Sequence, residues 1–167
     1  IVDTYINMIE ANILVSLSED KDWQGLVENV GLKKAIEAGL SLMTEKKPLS
    51  GLKIVVDSAN GVANNIPTRI FNDLGAEVIA IHAEIDGKFP NHKNNSPDPT
   101  IVENLSSLIE AVKENKADIG IAYDGDADRV VVVDNLGQII PGDILLVVLS
   151  REILRRYPGA TVLFDVK

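Results

Sequence analysis

Residues 118–134 have the sequence DIGIAYDGDADRVVVVD, in which two apolar runs enclose an acidic loop. The runs at 118–123 and 130–134 are rich in β-branched residues and predict two strands. Two similar runs occur nearer the N-terminus, at 52–57 and 78–81. The acidic loop is therefore predicted to join two strands of a larger sheet.

Helical patterns alternate with these strands along the chain. The hydrophobic spacing predicts helices over residues 3–17, 27–43, 63–74, 100–115 and 142–156, and further strands at 138–140 and 161–165. Thr100 and Glu103 fit a capping box at the start of the fourth helix. Residues 86–99 are polar and predict a long loop. Strands that alternate with helices predict an α/β protein, a three-layer α/β/α sandwich with a mixed sheet.

The acidic loop has the composition of a metal site. Its aspartates, Asp124, Asp126 and Asp128, are separated by Gly125 and Ala127. Carboxylates this close repel one another, and a divalent cation reverses that cost. In an extended strand Asp124 and Asp128 would lie roughly 13 Å apart, whereas Mg²⁺ requires its oxygen ligands at about 2.1 Å. The loop must therefore curl, which its small residues permit.

A solvated turn, an EF-hand and a phosphatase are the alternatives to a metal site of this kind. A solvated turn also gathers acids at a strand end and needs no ion. An EF-hand requires Gly at the sixth position and Glu at the twelfth, and counting from Asp124 these are Arg129 and Asn135. A phosphatase of the haloacid-dehalogenase type ends a strand in Asp-x-Asp, usually with Thr or Val where this chain has Asp128. The EF-hand is excluded, and the phosphatase is only weakly supported.

The composition of the chain argues against some classes of partner. At 167 residues the chain can bury one well-packed domain, and its net charge of −9 argues against nucleic acid as a partner. Cysteine is absent, which excludes disulfides and favours a cytoplasmic location. The longest apolar stretch, 144–149, is much shorter than the roughly 20 residues of a membrane helix, so no membrane partner is expected.

Five segments together resemble the α-D-phosphohexomutases, in particular the phosphomannomutase/phosphoglucomutase branch. They follow the family's order, at residues 55–61, 86–92, 97–99, 124–129 and 164–167. Each segment is weak alone, but five at family-like spacing are specific, and the resemblance covers residues 51–167. Residues 93–96 depart from the family pattern, because they lengthen the loop before the Pro-Asp-Pro segment.

The resemblance implies a role for each loop residue. Asp124, Asp126 and Asp128 would hold Mg²⁺ beside a phosphoserine supplied by the preceding domain. Arg129 would approach the same phosphoryl group, although an acid–base bridge within the loop is the alternative. Lys167 would face the active-site cleft. The implied reaction interconverts hexose 1-phosphate and hexose 6-phosphate through a hexose bisphosphate, mainly by alignment and charge neutralisation.

The same resemblance implies that the chain is part of a larger enzyme. It contains no Ser-His pair, so the catalytic serine loop is absent from it, as are the family's sugar-reading and phosphate-binding loops. Residues 1–47 correspond to a helical lead-in and linker from the preceding domain, 48–139 to the metal-binding α/β domain, and 140–167 to the opening of the next domain. We expect the flanking domains as partners, and no mutase activity from this chain alone.

Two other functional classes stay open from the residues. One is a non-catalytic module that binds a divalent cation or a sugar phosphate. The other is a Mg²⁺-dependent phosphatase with Asp124 as its nucleophile. Outside the acidic loop, His82 is expected to be structural, and His92 is expected to be a solvated loop residue more often than a substrate contact.

Overall fold

The computed structural model describes residues 47–163. The helices predicted over 3–17 and 27–43 lie outside these residues, as does Lys167. Within them, the strands predicted at 52–57, 78–81, 118–123 and 130–134 and the helices predicted at 63–74 and 142–156 are confirmed.

Among residues 47–163, five strands form one mixed sheet. They are β1 Lys53–Asp57, β2 Glu77–Ile81, β3 Ile119–Tyr123, β4 Val130–Asp134 and β5 Ile139–Ile140, in the spatial order β2-β1-β3-β4-β5. β1 pairs in parallel with both β2 and β3, whereas β4 runs antiparallel to β3 and β5. The carboxyl ends of β1, β2 and β3 therefore meet at one edge of the sheet.

In the part of the chain that the structure describes, three α-helices accompany the sheet: α1 Ile66–Asp73, α2 Ser106–Asn115 and α3 Gly142–Arg156. α1 starts with Pro67 in its first turn, where the missing N–H has no helical partner to lose. It ends just before Gly75, whose φ of +99° terminates the helix. No helix among residues 47–163 is long and apolar enough to cross a membrane.

Two buried clusters, one on each face of the sheet, make the fold a three-layer α/β/α sandwich. Ile54 and Val56 of β1 pack with Phe71 of α1. Val55, which points to the opposite face because side chains alternate along a strand, packs with Leu108 of α2. The predicted fold class is therefore confirmed.

The predicted capping box at Thr100 and Glu103 is wrong. The Thr100 hydroxyl and N–H both donate to Asp98 Oδ1, at 2.7 and 2.9 Å, and Glu103 pairs with Lys93. A 3₁₀ helix, Val102–Leu105, then precedes α2. The Asp98 carboxylate accepts the Thr100 N–H that the Glu103 side chain would accept in a capping box, since local side-chain bonds of this kind replace helical ones.

The strand predicted at 161–165 does not form at residues 161–163, the part of it that the structure describes. Residues 161–163 have no regular structure. A strand needs a neighbour for its backbone hydrogen bonds, and none of the described strands pairs with these residues. In the helix before them, Ile144, Val147, Val148 and Leu154 of α3 are exposed apolar side chains.

Substitution of Gly120 tests the packing between α2 and the sheet. A Cβ at this position of β3 would lie 2.7 Å from Val112 Cγ2 and 3.0 Å from Leu108 Cδ1, and both of those side chains are fully buried. We expect Gly120→Ala to lower the free energy of unfolding by about 1–3 kcal/mol through overpacking. Urea denaturation measures the change.

Gly87→Ala is the matched control, because nothing lies within 4 Å of a Cβ built there. It should change stability by no more than about 0.5 kcal/mol. Equal effects of the two substitutions would contradict the proposed α2–β3 packing.

Candidate metal centre

The acidic loop curls immediately after β3. The Ala127 N–H donates to the Asp124 carbonyl at 3.2 Å, and Ala127 adopts a left-handed φ of +62°. One carboxylate oxygen from each of Asp124, Asp126 and Asp128 lies within 4.8 Å of the others. The bend expected from the sequence is therefore present, and Ala127 rather than Gly125 provides the left-handed turn.

Gly125 is needed for close approach instead. A Cβ at the neighbouring Gly61 would lie 2.4 Å from the Gly125 carbonyl oxygen, and the Val62 N–H donates to that oxygen at 3.0 Å. On the other side, a Cβ at Gly125 would lie 2.9 Å from Pro97 Cγ and 3.4 Å from Phe89 Cζ. The acidic loop is thus held between the turn after β1 and the long loop 86–99.

Asp124 and Arg129 form the base of the site. Asp124 is fully buried; its Oδ1 accepts the Arg129 N–H at 3.1 Å and its Oδ2 accepts Arg129 Nε–H at 2.7 Å. Burial by itself would raise the pKa of Asp124, but the hydrogen bonds from the Arg129 backbone and side chain outweigh it and lower the pKa. Asp124 is therefore ionised in the folded protein at neutral pH.

Arg129 is also held from the opposite side. Its Nη1 lies 3.1 Å from Asp98 Oδ2, in the Pro-Asp-Pro segment. The buried Asn104 fixes that segment, because its Nδ2 donates to the carbonyls of Asp98 and Ser96, both at 2.8 Å, while its Oδ1 accepts the Lys93 N–H at 2.7 Å. Sequence reasoning missed Asn104, since its partners are backbone groups that no motif records.

The two outer aspartates are exposed and crowded. A hydrogen bond with Asp124 and repulsion from Asp124 and Asp126 raise the pKa of Asp128. Arg129 Nε lies 3.6 Å from Asp128 Oδ1 and offsets part of this repulsion. Excess negative charge therefore remains on the open side of the loop, where a dication would be stabilised.

The geometry disfavours a phosphatase with Asp124 as its nucleophile. Such a nucleophile must reach a phosphorus atom, but Asp124 is 0% exposed and both of its oxygens already accept hydrogen bonds from Arg129. The exposed oxygens belong to Asp126 and Asp128. This arrangement suits ligation better than nucleophilic attack.

The expectation of a solvated His92 is wrong. The side chain is only 4% exposed, and its Nε2 lies 3.9 Å from Asp57 Oδ2 at the end of β1. The 3₁₀ turn Lys93–Asn95 and the hydrogen bonds of Asn104 fold the lengthened loop back onto the domain, which buries the ring.

Comparisons with known proteins agree with this fold and loop. A family model described as phosphoglucomutase/phosphomannomutase, alpha/beta/alpha domain II, matches residues 33–137. The α/β/α sandwich and its acidic loop thus define a domain of the sugar-phosphate mutase class. The chain belongs to the phosphoglucomutase/phosphomannomutase family.

Individual relatives match most of the chain. A phosphomannomutase/phosphoglucomutase of Pseudomonas syringae pv. tomato is 51% identical over 116 residues, which are 70% of this chain and 24% of the relative. A phosphoglucomutase of Neisseria gonorrhoeae is 45% identical over 122 residues, 73% of this chain and 25% of that protein. The chain therefore spans about a quarter of the length of the curated relatives it matches.

A solved structure gives the same result in three dimensions. A phosphoglucomutase/phosphomannomutase family protein from Burkholderia thailandensis superposes with a TM-score of 0.69 and 43% identity, over 77% of this chain and 27% of that one. The likeness thus extends from the sequence motifs to the backbone.

Two charge-neutralising substitutions should affect folding stability differently without metal. In EDTA, Asp124→Asn should lower the free energy of unfolding by about 1–2 kcal/mol, because a buried acceptor of two charge-assisted bonds is lost; the value is reduced because Arg129 is half exposed. Asp128→Asn should leave stability unchanged or raise it, since it removes repulsion. Thermal or urea unfolding measures both.

Lowering the pH provides a control for the stability difference between the wild type and Asp124→Asn. The lowered pKa of Asp124 means that its stabilising contribution is present above the unfolded-state pKa of about 3.9 and is lost as the pH falls through the folded-state value. The gap between the wild type and Asp124→Asn should therefore close in acid. Equal destabilisation by both substitutions at neutral pH would contradict the assigned charge balance.

Proposed function

We propose that this chain supplies the metal-binding loop of a phosphohexomutase that interconverts mannose or glucose 1-phosphate and 6-phosphate through a hexose bisphosphate and an enzyme phosphoserine. The single observation that carries the proposal is the convergence of Asp124, Asp126 and Asp128 oxygens within 4.8 Å, beside the ion pair between the buried Asp124 and Arg129. The names of the relatives as phosphomannomutase/phosphoglucomutase and phosphoglucomutase support it.

The three aspartates fit Mg²⁺ as a cofactor. Mg²⁺ prefers oxygen ligands and usually keeps part of its shell for water and phosphate oxygens. Asp126 and Asp128 are exposed, which leaves the solvent side of the loop open for such ligands. Asp124 can use lone pairs not directed at Arg129, because each carboxylate oxygen carries two. The bound ion would neutralise charge on the phosphoryl oxygens during transfer.

Arg129 would orient the phosphoryl group. Its Nε is bonded to Asp124 and its Nη1 to Asp98, yet the side chain is 51% exposed. The guanidinium is thus fixed in position before a ligand arrives, and its remaining N–H groups can donate to phosphate oxygens. Hydrogen bonds, first with Asp124 and to a lesser extent with Asp98, raise the pKa of Arg129, so its positive charge persists at any working pH.

The remaining assignments belong to the same proposal. Lys167 would be a second cation facing the cleft, by the sequence resemblance. Residues 1–47 would lead in from a preceding domain, 48–139 would form the metal-binding domain, and 140–167 would open the next. The family match over 33–137 and the exposed apolar side chains of α3 support the second boundary. The absence of cysteine supports a cytoplasmic location.

Mg²⁺ should stabilise the chain through the acidic loop. At 100 times its dissociation constant, it should add about 2.7 kcal/mol to the free energy of unfolding of the wild type. Asp128→Asn should abolish most of this gain although it costs no stability in EDTA. Scanning calorimetry with and without Mg²⁺ measures both effects.

Glu114→Gln is the matched control, since it removes one exposed negative charge from the last turn of α2 and should keep the full Mg²⁺ response. An equal response from Asp128→Asn and the wild type would show that Mg²⁺ binds elsewhere.

Catalysis can be tested in the intact protein that contains this chain. Asp126→Asn should lower kcat for glucose 1-phosphate by about 10²–10³-fold, the loss typical of one electrostatic contributor to a transition state. Arg129→Lys, which keeps the charge but not the planar fork, should also lower kcat, and Glu114→Gln should not. The isolated chain should show no turnover above an Asp124/Asp126/Asp128→Asn triple variant. Normal turnover by Asp126→Asn would refute a catalytic role of the acidic loop even if Mg²⁺ still binds. Absence of turnover by the intact wild-type protein would instead favour a binding module.

A further inference from the structure

Both histidines of the chain lie against one buried carboxylate. Asp57 ends β1, His82 directly follows β2, and His92 lies in the loop 86–99. His82 Nδ1 is 3.0 Å from Asp57 Oδ1, and His92 Nε2 is 3.9 Å from Asp57 Oδ2. The two imidazole rings meet edge to face with centroids 5.4 Å apart. This Asp57–His82–His92 cluster is separate from the acidic loop in its residues and in its ligand chemistry.

The cluster contains buried polar atoms that have no partner. Asp57 is 1% exposed, yet among the described residues no group donates a hydrogen bond to its Oδ2, and His92 Nδ1 is likewise unpaired. Leaving a buried polar group unsatisfied is costly, so such atoms are rare in folded proteins. Asp57 Oδ2 is directed towards His92 Nε2 at a distance too long for a hydrogen bond. The space between them has the polarity of a cation site.

We propose that Asp57, His82 and His92 bind a transition-metal dication of the Zn²⁺ class. One ligand atom from each side chain lies within 4.8 Å of the others. In a tetrahedral site with bonds of about 2.0–2.1 Å, ligand atoms lie roughly 3.4 Å apart. The three side chains therefore need to close only slightly, and the His82 side chain, which is 15% exposed, leaves one side accessible for entry and for a water ligand.

The donor set determines which metal is expected. Two imidazole nitrogens and one carboxylate oxygen suit Zn²⁺ and its neighbours, whereas Mg²⁺ and Ca²⁺ prefer sites built from oxygen alone. The acidic loop offers three carboxylates and no nitrogen. The two clusters would therefore select different metals by ligand type.

Binding requires one local proton rearrangement. His82 Nδ1 now shares a hydrogen bond with Asp57 Oδ1, and it must present its lone pair to the ion. A shift of the ring proton to Nε2 achieves this without net release from a neutral ring. The ion would then join the ends of β1 and β2 to the loop 86–99, which also carries Asp98. Its role would be structural.

The chain's two histidines give this site a specific spectroscopic signal. The experiment uses the full 167-residue chain with Asp126→Asn and Asp128→Asn, so that the acidic loop no longer competes. Zn²⁺ is added while the imidazole ¹⁵N resonances are followed by NMR and the heat of binding is measured. We expect one Zn²⁺ per chain, shifts of both imidazoles, and no such shifts with Mg²⁺.

Side-chain variants connect the binding to the cluster. His92→Gln and His82→Gln should each weaken Zn²⁺ binding more than about tenfold, since even the loss of groups that support metal ligands costs that much. Glu84→Gln, an exposed carboxylate two residues from His82, should leave the affinity unchanged. If His92→Gln does not fold, as judged by circular dichroism, His82→Gln carries the test because His82 is only partly buried.

The proposal fails if stoichiometric Zn²⁺ leaves both imidazole signals in place. It also fails if a folded His82→Gln variant binds Zn²⁺ as tightly as its parent. In either case the cluster is a hydrogen-bonded contact between the loop and the sheet, without a metal function.

Discussion

The parallel pairing of β1 with both β2 and β3 is the constraint on which both candidate sites depend. Parallel strands end at the same edge of a sheet, where open α/β proteins bind their ligands. Asp57 ends β1, and His82 and Asp124 are the first residues after β2 and β3. Helices on both faces bury the strands, so these side chains project from a rigid base.

The loops at this edge support one another through close backbone contact. The Gly61–Gly125 approach fixes the acidic loop from one side, and Pro97 and Phe89 cover it from the other. Arg129 joins the two loops electrostatically through Asp124 and Asp98. The outer carboxylates remain mutually repulsive within this frame, so local stability is given up for a charge distribution suited to binding a cation.

Most secondary structure could be predicted because it follows from local patterns. Hydrophobic runs with periods of two and 3.6 residues located the five described strands and the three described α-helices. They also predicted a strand at 161–165, which the described residues 161–163 do not form. The predicted start of α2 was wrong because Asp98 accepts the Thr100 N–H that Glu103 would accept in a capping box, and the capping rule does not include that competition. The expectation of a solvated His92 was wrong because the burial of this side chain depends on how the loop 86–99 returns to the sheet.

The sequence by itself determined that an acidic loop follows β3 and predicted its bend, since three alternating aspartates beside a strand end are a local feature. It also determined the alternation of strands and helices, and with it the layered fold. Only the tertiary structure decided that Asp98 reaches Arg129, that Gly61 must lack a side chain, and that both histidines meet Asp57. These contacts join residues that are far apart in the sequence: Asp57 and His82 are separated by 25 positions, and Gly61 and Gly125 by 64. Strand order and register bring them together, and neither is encoded in any single segment.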